Sequence, residues 1–260
     1  MTWDSFPLYA ALSIGCAFVG AMLALRKNNR SIPAVVFVSM GCVMLFLFIG
    51  GLWLNLGRPP MRTMGETRLW YSFFVMGAGL FVYLLWKFQW ILLLTGTLSS
   101  VFSIINILKP EIHDMTLMPA LQSVWFIPHV TIYMLAYSIL ACATLLALVG
   151  GVKKEKKYFP SIDNLVYVGT GMVFLGLLSG AIWAKSAWGD YWGWDPKETW
   201  AAITCTGYLA YIHLRFTKWA TSKWLYALVI FSFLLLQMCW YGYQYLPSSE
   251  SSMHMYNITQ

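Results

Sequence analysis

The densest chemistry in the chain lies in the stretch WGDYWGWDPKETW, residues 188–200. It holds four tryptophans and one tyrosine within thirteen residues, with Gly189 and Gly193 between them. Large rigid rings suit stacking against an extended π-system, and glycine lets a backbone turn and approach a ligand closely. Tryptophan and tyrosine also form belts at membrane interfaces, but a belt explains the close spacing of Trp188, Trp192 and Trp194 poorly. The stretch therefore predicts a platform for a flat hydrophobic ligand.

The second half of the same stretch has the spacing of a helix start. Asp195 suits the N-cap, Pro196 the first helical position, and Glu198 the third position of a capping box. The positive end of a helix dipole at this point favours carboxylates. A porphyrin with two propionates fits such a site, and a quinone fits it less well.

The chain contains only four histidines. Imidazole is a preferred axial ligand of haem iron, although a single histidine at a span edge is more often a hydrogen-bonded interface residue. His129 begins one apolar run and His213 ends another, while His254 lies in the C-terminal tail. His129 and His254 are candidates to clamp a porphyrin at one level, and His213 is a candidate ligand at the other. His113 lies in a polar loop and is interpreted as an ordinary polar residue.

The elements that position these residues are predicted to be membrane helices. The chain is 59% hydrophobic and 10% charged, whereas about a quarter of the residues in soluble domains are charged. Its apolar residues form long runs, which are typical of transmembrane helices. The net charge of +7 is interpreted as loop charge that fixes orientation, and no nucleic acid partner is expected. The five cysteines lie within apolar runs and are interpreted as small buried residues.

We predict an all-α polytopic membrane protein with about eight transmembrane helices, forming a single integral membrane domain over 1–260. The spans are placed roughly at 6–25, 34–54, 70–86, 89–108, 128–150, 165–186, 200–215 and 224–246. The stretch 70–108 is nearly continuous, but a single span would put Lys87 in mid-membrane, at a cost of about 2.5–3.5 kcal/mol. Two helices joined by a tight turn are therefore preferred.

Charge bias then predicts the orientation. The loops on one side carry eleven basic residues and those on the other side carry six. The positive-inside rule places both termini on the outer, periplasmic side. The tryptophan-rich loop 187–199 and the C-terminal tail fall on that same outer side.

Several segments together resemble a known family. The segment GAIWAKSAWGDYWGWDPKETWAAIT resembles the tryptophan-rich WWD signature of the haem-handling proteins of cytochrome c maturation, and it is closer to the CcsA (ResC) branch than to CcmC. PALQSVWFIPHV resembles the family segment with the first external haem-ligating histidine, here His129, and YLAYIHLRF resembles the helix with a histidine near the inner face, here His213. GETRLWYSFF weakly resembles an earlier outer segment. His254 has the position of the second external histidine, but SSESSMHMYN departs from the usual glycine-histidine-serine context. The resemblance covers about residues 55–260.

The resemblance implies a function in a System II cytochrome c synthase. Haem b would be collected near the inner side, moved outward, and held at the WWD loop between His129 and His254. Its vinyl groups would then be presented to the CxxCH thiols of apocytochrome c for thioether attachment. His129, His254 and His213 are the implied axial ligands of the haem iron.

The aromatic and acidic residues of the loop have implied roles beside those ligands. Trp188, Trp192 and Trp194 would pack against the porphyrin, and Asp195 would shape the loop or approach the haem edge. Arg215 is a candidate partner for a propionate at the inner site.

The resemblance also implies partners and a location. A CcsB (ResB) type membrane protein would supply the ligand opposite His213 and complete a holocytochrome c synthase. The chain would lie in the lipid bilayer of the bacterial cytoplasmic (inner) membrane, with the active site facing the periplasm. Two alternatives stay open: a haem exporter without a ligation role, and a structural or quinone-binding subunit of a respiratory complex.

Overall fold

The computed structural model describes residues 1–26, 31–113, 123–218, 221–248 and 252. Over those ranges the chain is helical, with 3-10 turns at some helix ends and no strand. The helices are α1 (Phe6–Leu25), α2 (Ser31–Leu56), α3 (Met64–Trp86), α4 (Ile91–Leu108), α5 (Phe126–Lys153), α6 (Phe159–Trp188), α7 (Pro196–Arg215) and α8 (Ser222–Trp240). The predicted all-α class is confirmed.

Two compact units make up the described chain, the first with α1 to α4 and the second with α5 to α8. Within each unit every helix packs against its neighbours in sequence, and the last helix packs against the first. Each unit is therefore an up-and-down four-helix arrangement. The single integral domain over 1–260 stays a prediction.

Seven of the helices within the described ranges are long and apolar enough to cross a membrane. The exception is α7, whose first turn carries Lys197 and Glu198 and whose last turn carries His213 and Arg215. These polar ends lower its hydropathy. The remaining helices make the chain an integral membrane protein.

The helix pair predicted within 70–108 is confirmed. The third helix ends at Lys87, which adopts the left-handed conformation with φ 58° and donates its N–H to the carbonyl of Tyr83. The fourth helix starts again at Ile91. The tight turn places the lysine at a helix end and not within a helix, where its charge would be costly in a membrane.

Some helix boundaries differ from the predicted ones. The third helix starts at Met64, not at 70, because Thr63 and Glu66 form a capping box. The sixth helix runs to Trp188 and is ended by Gly189 at φ 92°, a backbone conformation that favours glycine. The irregular part of the predicted loop 187–199 is therefore shorter, and Trp188 is the last residue of α6.

The two ends of the second unit differ in chemistry. The tryptophan end contains the starts of α5 and α7 and the ends of α6 and α8. The lysine end contains the opposite helix ends and the segments that join them. Its basic residues are Lys153, Lys154, Lys156, Lys157, Arg215, Lys218 and Lys223.

Candidate haem-handling site

His129 lies in the first turn of α5, at the tryptophan end. Its Nδ1 atom is 2.9 Å from the carbonyl oxygen of Gly176 on α6. A carbonyl oxygen only accepts, so Nδ1 carries the proton and donates it. In the neutral ring, Nε2 then holds the lone pair that a metal ion requires. The structure thus gives His129 the tautomer of an Nε2 ligand.

Aromatic rings enclose His129 from two directions. Trp183 stacks on the imidazole with centroids 5.6 Å apart and planes 20° apart. Tyr133 meets it edge-on, with centroids 4.7 Å apart. The imidazole is therefore packed against the face of one aromatic ring and the edge of another.

Trp183 connects His129 to the tryptophan-rich stretch. Its buried indole meets the ring of Trp188 edge-on, with centroids 4.7 Å apart, and it also contacts Phe126. Sequence reasoning did not assign Trp183 to the site, although it lies inside the segment that carries the family resemblance. Its contact with His129 joins α5 to α6, and no local pattern in one helix reveals such a contact.

Trp192 and Trp194 form a second aromatic pair. Their rings meet edge-on with centroids 5.7 Å apart. Trp194 is 70% exposed and has φ 57°, which is rare for a residue with a side chain. The exposed indole is available as a flat face for a ligand.

Glu198 holds the backbone on both sides of Trp194. Its carboxylate accepts the N–H of Gly193 at 2.9 Å and that of Asp195 at 3.1 Å. The hydroxyl of Thr199 donates to the carbonyl of Trp194 at 3.3 Å. The predicted capping box at the start of α7 is confirmed. The hydrogen bond to Gly193 was not predicted. It connects the capping carboxylate of Glu198 to the backbone of the tryptophan loop.

Asp195 is buried at the N-cap of α7, where its carboxylate accepts the N–H of Lys197 at 2.8 Å. Lys197 packs its ammonium over the ring of Tyr243, and its carbonyl accepts the thiol of Cys239. These contacts tie the start of α7 to the end of α8. Asp195 therefore caps the start of α7.

His213 lies in the last turn of α7, at the lysine end. Its Nδ1 is 2.7 Å from the carbonyl oxygen of Leu209, so its lone pair is again on Nε2. The ring is exposed. A helix rises ~1.5 Å per residue, which separates His213 from Asp195 by about 27 Å. The structure thus keeps the two predicted haem levels at opposite ends of the second unit.

Arg215 is engaged in an ion pair beside His213. Its Nε donates to both carboxylate oxygens of Asp163, at 3.1 and 3.0 Å. The hydroxyl of Tyr211 donates to the same carboxylate at 2.6 Å, and the guanidinium lies over the ring of Phe159. The candidate propionate partner is therefore fixed to α6 through Nε.

Two histidines remain: the predicted ligand His254, and His113, which was not predicted to bind haem. His254 lies outside the described residues. His113 belongs to the first unit, where its ring stacks on Trp3 with centroids 3.7 Å apart and planes 4° apart.

The first unit has a similar capping glutamate at the start of α3. Glu66, at the third position of α3, accepts both terminal nitrogens of Arg58, at 3.0 and 2.9 Å. It also accepts the backbone N–H groups of Arg62 and Thr63. A glutamate at the third helical position thus organises the loop before the third helix of each unit; Glu66 is buried and Glu198 is half-buried.

These features define an integral membrane protein with one imidazole at each end of a helical unit and an aromatic loop at one end. The model of the family described as "Cytochrome C assembly protein" matches residues 6–249. The chain belongs to that family. The match extends well upstream of residue 55, where the resemblance in the sequence was predicted to begin.

Relatives in the family bear out the resemblance to its CcsA branch. Cytochrome c biogenesis protein CcsA of Chlamydomonas reinhardtii is 30% identical over 258 residues, covering 90% of this chain and 72% of that protein. The CcsA protein of Guillardia theta is 29% identical, with 84% and 85% covered. That of Heterosigma akashiwo is 29% identical, with 98% and 96% covered.

A solved structure shares the fold. The chain described as "Cytochrome c Heme Lyase CcmF" superposes with a TM-score of 0.71 at 18% sequence identity. The match covers 92% of this chain and 46% of that longer chain. The helical architecture is thus common to both proteins.

Proposed function

We propose that this chain carries haem b across the membrane and presents it for attachment to apocytochrome c, as a component of a cytochrome c synthase. The observation that carries the proposal is the setting of His129. Its Nδ1 is fixed by the Gly176 carbonyl, and its ring stacks on Trp183, which contacts Trp188. An oriented imidazole beside an aromatic loop suits a porphyrin, since the iron needs the nitrogen and the ring needs flat apolar faces.

In this proposal haem is the substrate, and the residues of the chain hold it. His129 and His254 ligate the iron at the tryptophan end, while Trp188, Trp192 and Trp194 pack on the porphyrin. Attachment adds each S–H group of the CxxCH motif across a vinyl C=C bond. One carbon gains sulfur and the other gains hydrogen, so the addition is redox-neutral. The chain's contribution to this step is to hold the vinyl groups still.

The lysine end is proposed as the point where haem enters. His213 supplies one axial ligand there, and a CcsB (ResB) type membrane protein supplies the other. The basic residues of that end support a cytoplasmic location for it, and the proposal accordingly puts the tryptophan end and both termini on the periplasmic side. The membrane is then the bacterial cytoplasmic membrane.

The test is the reduced absorption spectrum of the purified chain, with and without a co-expressed CcsB-type partner. We expect a low-spin haem spectrum from the wild type. His129→Ala and His254→Ala should weaken or shift it, and His113→Ala, in the first unit, should leave it unchanged. A wild type without haem would refute the proposal, and unchanged spectra in both ligand variants would refute the ligand assignment.

A second experiment distinguishes haem attachment from haem export without attachment. Co-expression with a reporter apocytochrome should yield covalently bound haem, scored by haem staining of denatured protein. Haem outside the cell without covalent reporter would instead favour the exporter alternative.

A further inference from the structure

The imidazole of His129 lies against a groove of small residues on α6. Gly176 accepts its Nδ1–H, and Gly180 lies one helical turn further along. A Cβ added at Gly180 would lie 2.6 Å from both Cε1 and Nδ1 of His129. A Cβ added at Gly176 would lie 2.9 Å from the ring of Tyr133. The absence of a side chain at Gly180 therefore leaves room for the imidazole, and its absence at Gly176 leaves room for the neighbouring ring of Tyr133.

The carbonyl that fixes His129 is shared with Ser179. The hydroxyl of Ser179 lies 3.0 Å from the carbonyl oxygen of Gly176 and 3.0 Å from that of Leu175. Its single proton is divided between those two acceptors. The Gly176 oxygen thus receives Nδ1–H from His129 while part of its acceptor strength is taken by the hydroxyl.

We infer that the groove of Gly176, Ser179 and Gly180 is a positioning element that sets the orientation, the tautomer and the ligand strength of His129. The effects on haem binding rest on the proposed function. The tautomer of His129 does not depend on it. Partners that accept a proton from the non-ligating ring nitrogen make the ligating nitrogen more basic. A stronger acceptor at Gly176 therefore makes His129 a stronger ligand of ferric iron.

Gly180→Ala tests the orientation. The new methyl group displaces the imidazole, and we expect haem retention after purification to fall by about 10-fold or more. The electron paramagnetic resonance signal of the remaining ferric haem should change as well. Gly171→Ala is the matched control, because it adds the same methyl group to the same helix with nothing within 4 Å. Equal retention and equal signals in the two variants would overturn the inference.

Ser179→Ala tests whether the groove changes the ligand strength of His129. It also gives a result that does not depend on the correct folding of Gly180→Ala. Loss of the hydroxyl leaves more acceptor strength for Nδ1–H. We expect haem to be retained and its midpoint potential to move to a lower value, which loss of packing alone does not predict. An unchanged or higher potential contradicts the tuning role.

Haem-free protein gives a readout that is independent of the proposed function. With ¹⁵N-labelled histidine, the His129 ring should show a protonated Nδ1 and an unprotonated Nε2, assigned by their loss in His129→Gln. Gly180→Ala should change this pattern and Gly171→Ala should not. A protonated Nε2 in the wild type would contradict the inference even if haem binds. A wild type that shows the expected tautomer but binds no haem would contradict only the proposed function.

Discussion

Trp183 stacks on the imidazole of His129, with ring centroids 5.6 Å apart and planes 20° apart. Trp183 is 2% exposed, so the interior of the second unit fixes its position. The predicted haem ligand thus packs against a buried side chain of α6.

Replacing Trp183 should weaken haem binding without any change in the loop sequence. Trp183→Leu removes the stacking face, and we expect haem retention to fall by about 10-fold, as for other residues that orient a metal ligand. Trp183→Phe keeps an aromatic face and should retain most of the haem. The measurement is the ratio of haem to protein in each purified variant, determined by absorbance. Trp224→Leu is the control, because that tryptophan is 69% exposed at the lysine end. Equal retention in the leucine and phenylalanine variants would show that the stack is unimportant.

Single-sequence reasoning locates helices well because each helix has a local signal. Apolar runs and the capping signal at Asp195 predicted the eight helices, and the cost of a mid-membrane lysine placed the turn at Lys87 correctly. The capping box at Thr63 was missed because the predicted span began only where the hydropathy rises. The contact between His129 and Gly176 joins residues 47 positions apart. Glycine has no side chain that could indicate a contact with His129, so the sequence alone does not predict this hydrogen bond.

Glu198 should prove essential to the tryptophan loop. Glu198→Ala leaves the N–H groups of Gly193 and Asp195 without the carboxylate that accepts them. Loss of such a cap costs about 0.5–2 kcal/mol. We expect a lower melting temperature and weaker haem binding. Glu198→Gln keeps an acceptor oxygen and should lie between the wild type and the alanine variant.

A control for the loop is available in the first unit. Glu111 is exposed, so Glu111→Ala should change neither the melting temperature nor the haem affinity. If Glu198→Ala binds haem as tightly as Glu111→Ala does, the loop does not depend on this carboxylate.

The ion pair of Asp163 and Arg215 should stabilise the lysine end. Asp163→Ala removes the acceptor of both Arg215 and Tyr211. The pair is partly exposed, so we expect a loss of about 1–2 kcal/mol, below that of a fully buried pair. Thermal unfolding followed by circular dichroism measures the loss. The double variant Asp163→Ala/Arg215→Leu should recover part of it, because it leaves no unpaired guanidinium.

The neighbouring ion pair of Glu155 and Lys157 offers a matched comparison. Its atoms lie 2.6 Å apart, and the hydrogen bond from Lys157 lowers the pKa of the Glu155 carboxyl. Both side chains are open to solvent, where screening removes most of the benefit of an ion pair. Glu155→Ala should therefore leave the unfolding temperature unchanged. A loss as large as that of Asp163→Ala would refute the distinction between the two pairs.

His213 should control how much haem reaches the tryptophan end. His213→Gly removes the imidazole at the lysine end while leaving the setting of His129 intact. We expect a several-fold lower haem content in the co-expressed complex, and partial recovery when imidazole is added during growth. Haem content equal to that of the wild type would remove His213 from the haem route.

Ligation of haem by His129 is tested by imidazole rescue of His129→Gly, measured by the ferric absorption spectrum of the purified protein. The glycine variant leaves a space beside Gly176 and Trp183 that free imidazole fits. We expect a weak or high-spin haem spectrum without imidazole and a return to the low-spin spectrum of the wild type when imidazole is added. A low-spin spectrum like that of the wild type without imidazole would contradict the claim that His129 ligates haem.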